Sequence, residues 1–147
     1  MLKRLGYFLL LGASLTVTAG CANRATGTLT AGTDLSKLKT FYVVQAPDDK
    51  RNTYRLIKNN LEKRGFGATT GPELKSPSQS DAVVTYVDKW MWDITMYMLE
   101  LTIIFRDPKT DFPLATGNSL HASLTRKSPE DMVDEVLTNI FHAKPAQ

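Results

Sequence analysis

One cysteine, Cys21, stands in a chain of 147 residues, and a lone cysteine excludes any disulfide framework within the molecule. Histidine is nearly as scarce. His121 and His142 are the only two, and no HExxH, GxSxG or SxxK motif accompanies them. A Ser-His-Asp set can assemble from residues far apart in sequence, but with so many Ser and Asp present that possibility carries no information, and no enzymatic activity is expected. No Cys, His and carboxylate cluster has the spacing of a metal site, and Asp107 and Asp111 offer too few oxygens for calcium, so neither metal nor cofactor is expected. A strong charge of one sign is also missing: 18 basic residues face 15 acidic ones. Without a clustered basic stripe this balance argues against nucleic acid as a partner. Apolar runs are short as well. The longest, Leu5 to Gly20, is interrupted by Gly, Ser and Thr and falls short of the ~20 apolar residues that a spanning helix needs. No internal repeat and no coiled-coil heptad is visible.

What the chain does carry begins at its first residue. Lys3 and Arg4 form a positive n-region, Leu5 to Val17 an apolar h-region centred on Phe8-Leu9-Leu10-Leu11, and Thr18-Ala19-Gly20 a run of small residues before Cys21. An ordinary secretory peptide has no use for a cysteine at the cut. The segment resembles the lipobox of bacterial lipoproteins, with Thr18 at the place usually held by Leu. The resemblance implies cleavage between Gly20 and Cys21 and acylation of Cys21, which accounts for the lone thiol. Residues 1–20 would then be signal peptide, leaving 127 residues with 16 basic and 15 acidic side chains. It also implies two or three acyl chains, enough for stable anchoring where one holds only marginally. Asp directly after the cysteine commonly retains such proteins in the inner membrane, and this chain has Ala22. The expected location is the periplasmic face of the outer membrane, with the membrane itself a partner through the lipid.

Residues 21–37, rich in Gly, Thr, Ala and Ser without apolar period, read as a lipidated flexible tether able to reach ~50 Å. Residues 38–147 read as one folded domain. Phe41-Tyr42-Val43-Val44 predicts a strand. Asp48 and Asp49 are placed to cap a helix over 51–64, with Tyr54, Ile57 and Leu61 on one face and Gly65 as its stop. Phe66 to Thr70 suits a short strand, and Thr70 to Asp81 a surface loop. Ala82–Trp92, Thr95–Arg106 and Leu114–Thr125 predict three long antiparallel strands, with Tyr97, Leu99, Leu101, Ile103 and Phe105 all facing the core. Asp107-Pro108 opens the second turn. Ser128, Pro129, Glu130 and Asp131 announce a last helix, whose stripe of Met132, Val133, Val136, Leu137, Ile140 and Phe141 must lie on the sheet. Glu135 falls on its polar face, where Gln is expected to cost little. The fold class is α+β: two layers, a mainly antiparallel sheet in the order β-α-(β)-β-β-β-α, and helices on one face.

The unusual stretch is Trp90-Met91-Trp92-Asp93-Ile94-Thr95-Met96-Tyr97-Met98, which holds both tryptophans and three of five methionines at the end of a hairpin. Trp90, Met91, Trp92, Met96 and Met98 form a candidate binding patch, since aromatic and Met side chains are enriched in such sites. The competing reading is that the first helix or the tether covers them as core. Asp88, Lys89 and Asp93 read as a solvated rim.

A lipobox, a Thr/Gly-rich tether, a strand–helix opening, a meander led by Ser80-Asp81-Ala82-Val83-Val84-Thr85-Tyr86 and a closing amphipathic helix together resemble small outer-membrane lipoproteins of Gram-negative bacteria with domains of unknown function. A looser similarity links the chain to the lipopolysaccharide-assembly lipoproteins. The leading expectation is a non-catalytic envelope lipoprotein that binds a partner or supports an assembly at the outer membrane, with the second similarity held in reserve. The alternative is a periplasm-facing carrier or chaperone of a lipid or other apolar ligand, held between sheet and helices near the Trp/Met hairpin.

Overall fold

In the computed structural model, which describes residues 23–73 and 79–145, the chain runs β1 (Arg24–Leu29), β2 (Thr40–Val44), α1 (Thr53–Lys63), β3 (Gly67–Gly71), β4 (Ala82–Asp93), β5 (Thr95–Arg106), β6 (Pro113–Leu120) and α2 (Pro129–His142). Single 3-10 turns occupy Leu35–Lys37 and Ser123–Thr125. The strands form one sheet in the order β1-β6-β5-β4-β2-β3. β1, β6, β5 and β4 pair antiparallel, while β2 runs parallel to both β3 and β4. Both helices pack on the same face, so the domain is a two-layer α+β fold with a mainly antiparallel sheet. Gly20 and Cys21 lie outside the described residues, as does part of the loop after Thr70. Among the described residues no helix is long and apolar enough to cross a membrane.

Local chemistry explains the helices. Ser128 caps α2 by accepting the N–H of Asp131, Pro129 occupies its first turn, and Met132, Val133, Val136, Leu137 and Ile140 are buried. α1 is capped indirectly. Asn52 is left-handed and makes no side-chain cap, and the Asp49 carboxylate instead accepts the N–H of Tyr54 and the hydroxyl of Tyr86. Burial disfavours the charge on Asp49, but the hydrogen bonds from Tyr86 and the backbone of Arg51 and Tyr54 outweigh it and hold its carboxyl below the usual range. Gly65, at positive φ, ends α1.

α2 reaches the sheet so closely because two neighbouring strands offer glycine beneath it. Gly27 and Gly117 are opposite each other on β1 and β6. A Cβ on Gly117 would lie 2.7 Å from Ile140 and 2.8 Å from Val136, and one on Gly27 would run into the Asn139 carbonyl. Leu101, Ile103 and Phe105 of β5, with Phe41 and Val43 of β2, complete the core. Phe41 packs edge-on against Phe66 at 5.2 Å, and Phe66 stacks on Phe141 at 4.9 Å.

Three sequence expectations give way here. The stretch read as a tether holds β1, an edge strand paired with β6 from Arg24 to Leu29. Gly27 in this segment is small because α2 sits on it, and the segment is a paired strand rather than a free linker. The single alternation through β5 also breaks. Lys89 pairs with Glu100 but Trp90 pairs with Met98, which leaves Leu99 as the extra residue of a β-bulge. Below the bulge the faces exchange, so Met98 is wholly buried and Leu99 is not. Tyr97 is covered by a separate contact: the Arg126 guanidinium lies 5.4 Å over its ring. The third meander strand ends at Leu120 rather than Thr125.

Candidate functional site: the end of the β4–β5 hairpin

β4 and β5 extend beyond the layer that the helices cover, and their joined end gathers four of the large exposed apolar side chains among the described residues, while Val87 and Phe112 are exposed elsewhere. Trp92 is 70% and Ile94 84% exposed, with Met91 and Met96 also open to solvent. Leu124, on the 3-10 turn after β6, is exposed as well. That turn is tied to the hairpin end: the Ser123 hydroxyl donates to the Asp93 carboxylate, and Arg126 donates to the Thr95 hydroxyl at 2.9 Å.

The turn itself is strained. Asp93 and Thr95 are paired, leaving Ile94 alone at the apex with φ of 59°. A β-branched residue in the left-handed region is an outlier that costs ~1–3 kcal/mol. The braces on Asp93 and Thr95 hold it there. Asn tolerates this conformation without the glycine penalty in the unfolded chain. Ile94→Asn should therefore raise stability by ~0.5–1 kcal/mol, seen as a melting temperature higher by a few degrees. An unchanged or lower melting temperature would mean that the apex carries no strain.

The five residues of the candidate patch do not stay together. Met91, Trp92 and Met96 are exposed, whereas Met98 is core and Trp90 is half-buried. The Trp90 indole donates to Asp88 at 2.8 Å and lies under the Arg51 guanidinium, 4.4 Å from the ring centroid. Thus the approach to α1 covers one tryptophan and leaves the other free. The structure separates the two rings: Trp90 is half-buried and Trp92 is exposed. Two patch members not singled out, Ile94 and Leu124, join the exposed set; a strand-end Ile in a turn lacking Gly or Asn was the available signal for the first. The charged residues beside the rings are more than a rim. Asp88 also accepts from Thr53 at 2.6 Å, Lys89 pairs with Glu100 at 2.7 Å, and Arg24 reaches the same Glu100 at 2.8 Å. The Lys89 and Asn118 hydrogen bonds, against a smaller burial effect, hold the Glu100 carboxyl below its ordinary value.

A second cluster lies between α2 and β6. Glu135 accepts from the Ser119 hydroxyl, from Lys127 at 2.7 Å and sits 2.7 Å from His121 Nε2. Burial works against the Glu135 charge, but Lys127, Ser119 and His121 outweigh it and bring its carboxyl down to about 2. Ser119 is wholly buried and directs its hydroxyl at Glu135 rather than at His121, so the three do not form the nucleophile–base–carboxylate relay of acyl transfer. His142, at the end of α2, has Nδ1 2.8 Å from the Thr138 carbonyl oxygen and stands apart from this cluster. The geometry describes a polar clasp between helix and sheet. Among the described residues no three His, Cys, Asp or Glu side chains are arranged to hold a metal ion.

The class that the structure defines is a two-layer α+β domain with a projecting apolar hairpin. No family model matches the sequence, and no curated protein matches it. Among solved structures the chain is similar to the PelC dodecamer from Paraburkholderia phytofirmans, with a TM-score of 0.57 and 13% identity over 82% of this chain and 100% of that one. A single-residue PelC variant from the same organism, also a dodecamer, gives 0.51 and 13% over 80% and 93%. A PDZ domain protein from Parabacteroides distasonis gives 0.49 and 13%, with 33% of its length covered. At this identity the likeness to PelC is one of fold.

Proposed function

We propose that this chain is a bacterial envelope lipoprotein, anchored by lipid at Cys21, that works by contact rather than by catalysis. It binds a partner or supports an assembly at the periplasmic face of the outer membrane. The observation that carries the reading is the run from Lys3 to Cys21, whose charge, apolar core, small residues and lone cysteine fit acylation and little else. Two features support the non-catalytic half. The Ser119 hydroxyl, the His121 Nε2 and the Glu135 carboxylate are spent on one another and on Lys127, and Trp92, Ile94, Met91 and Met96 expose apolar side chains on a projecting hairpin rather than in a cleft. That PelC, of similar fold, is described as a dodecamer fits a supporting role.

The carrier alternative finds less support. The space between sheet and helices is filled by Met98, Leu101, Ile103, Met132, Val136 and Ile140, all wholly buried. The cleft beside α2 is lined by Lys127, Asp131, Asp134, Glu135, Thr138 and Asn139, a charged wall unsuited to an apolar ligand.

Cys21→Ser tests the anchor directly. The variant should lose incorporation of labelled palmitate and leave the membrane fraction, remaining unprocessed or soluble. Palmitate labelling equal to that of the unaltered chain would remove the lipoprotein reading.

A further inference from the structure

We infer that the Met91–Met96 hairpin end is itself a membrane contact, seated in the interface of the same bilayer that holds the lipid on Cys21. The inference rests on the lipoprotein reading for its choice of occupant and on the described geometry for its location.

The start of the described chain fixes the location. Asn23 accepts a hydrogen bond from the Thr125 hydroxyl at 2.7 Å. Thr125 belongs to the 3-10 turn whose Ser123 is bonded to Asp93 at the hairpin end. β1 leaves from Asn23 antiparallel to β6, away from that end, so the described chain begins on the hairpin side of the sheet. Two residues span at most ~7 Å, which confines Cys21 to the neighbourhood of Asn23 whatever path Ala22 takes. An acyl group on Cys21 enters the bilayer from the headgroup level. The hairpin end must then meet the same surface, because β1 leaves no tether long enough to hold it off.

The chemistry of the end suits that surface. Trp92, Ile94, Met91, Met96 and Leu124 present apolar side chains, and indole rings favour the boundary between headgroups and acyl chains. Immediately behind them Arg126 stacks on Tyr97 and bonds Thr95. There its guanidinium stands where lipid phosphates would lie, with an aromatic stem to rest on. The two acidic groups nearest the tryptophans, Asp88 and Asp93, are already engaged by Thr53, Trp90 and Ser123. The strained apex keeps Ile94 as the most prominent apolar point of the hairpin.

The two tryptophans make the test internal. The mature acylated protein is reconstituted into phosphatidylethanolamine–phosphatidylglycerol vesicles whose acyl chains are partly brominated, and tryptophan emission is read beside the mass of the Cys21 peptide. Bromine should quench the emission, and Trp92→Phe should remove most of the quenching, because Trp90 lies behind under Arg51. Ile94→Asn, at an exposed position, should weaken the quenching of Trp92 without unfolding the domain. An acylated protein whose Trp92 is not quenched overturns the contact and leaves the anchor standing. A blue-shifted Trp92 without quenching also overturns it, since the end is then covered by protein, a second copy included. If the Cys21 peptide carries no lipid the anchor reading falls, and the same vesicles added to the unacylated chain decide the contact: quenching of Trp92 upholds it, its absence overturns it.

Discussion

Val136→Asp should unfold the domain or come close to it. Val136 is wholly buried and lies against Gly117, so the new carboxylate would face a strand with no side chain to answer it and no room for water. An unpaired buried charge costs several kcal/mol even after relaxation, out of the ~5–15 kcal/mol that a domain of this size possesses. Glu130→Gln, at an exposed position in the first turn of the same helix, should cost less than ~1 kcal/mol, the scale of a surface charge on the helix dipole. The midpoints of urea denaturation for the two variants separate these outcomes. Equal midpoints would show that α2 does not dock through this face.

Glu135→Ala should be the most damaging change among the polar residues, at ~2–3 kcal/mol, because it strands Ser119, His121 and Lys127 together. Its pH dependence has a definite sign. The carboxyl is lowered to about 2 in the folded chain from its ordinary 4.5. A depressed folded value means that the unfolded chain binds the proton more readily, so the stabilisation is complete above 4.5 and is lost as pH falls toward 2. The stability gap between the unaltered protein and Glu135→Gln should therefore be largest near neutral pH and shrink steadily below ~4.5. A gap that stays constant over the acid range would show that the clasp contributes nothing through charge. The expectation that Gln at this position costs little is replaced: the helical wheel places Glu135 beside the apolar stripe, and whether that edge faces water or sheet depends on β6 lying underneath.

The contrast shows which parts of the fold are readable in one dimension. α2 is legible because its cap, first-turn proline and apolar stripe are all local to residues 128–141, and α1 is legible for the same reason through Tyr54, Ile57 and Leu61. The long hairpin follows from alternation. What fails is whatever depends on a partner elsewhere in the chain. The bulge at Leu99 is a property of two strands and not of either sequence alone. β1 looks like linker because its Gly27 serves α2 more than a hundred positions later. The candidate site was visible as an odd concentration of Trp and Met, but its division into a covered ring and a free one depends on Arg51 arriving over Trp90 from the approach to α1.

The pairing of β1 also sets an order of events. Arg24 finds its place only opposite Leu120, and Leu29 only opposite Ala115. Until nearly the whole chain has been made, the first strand has no edge to join, and half of the glycine seat beneath α2 is missing. Contacts this distant slow folding far more than they weaken the result, because the entropy of closing a loop grows only by ~0.6 kcal/mol for each doubling of its length. Folding therefore finishes where the chain begins. The sheet draws Arg24–Leu29 in only after β6 has formed.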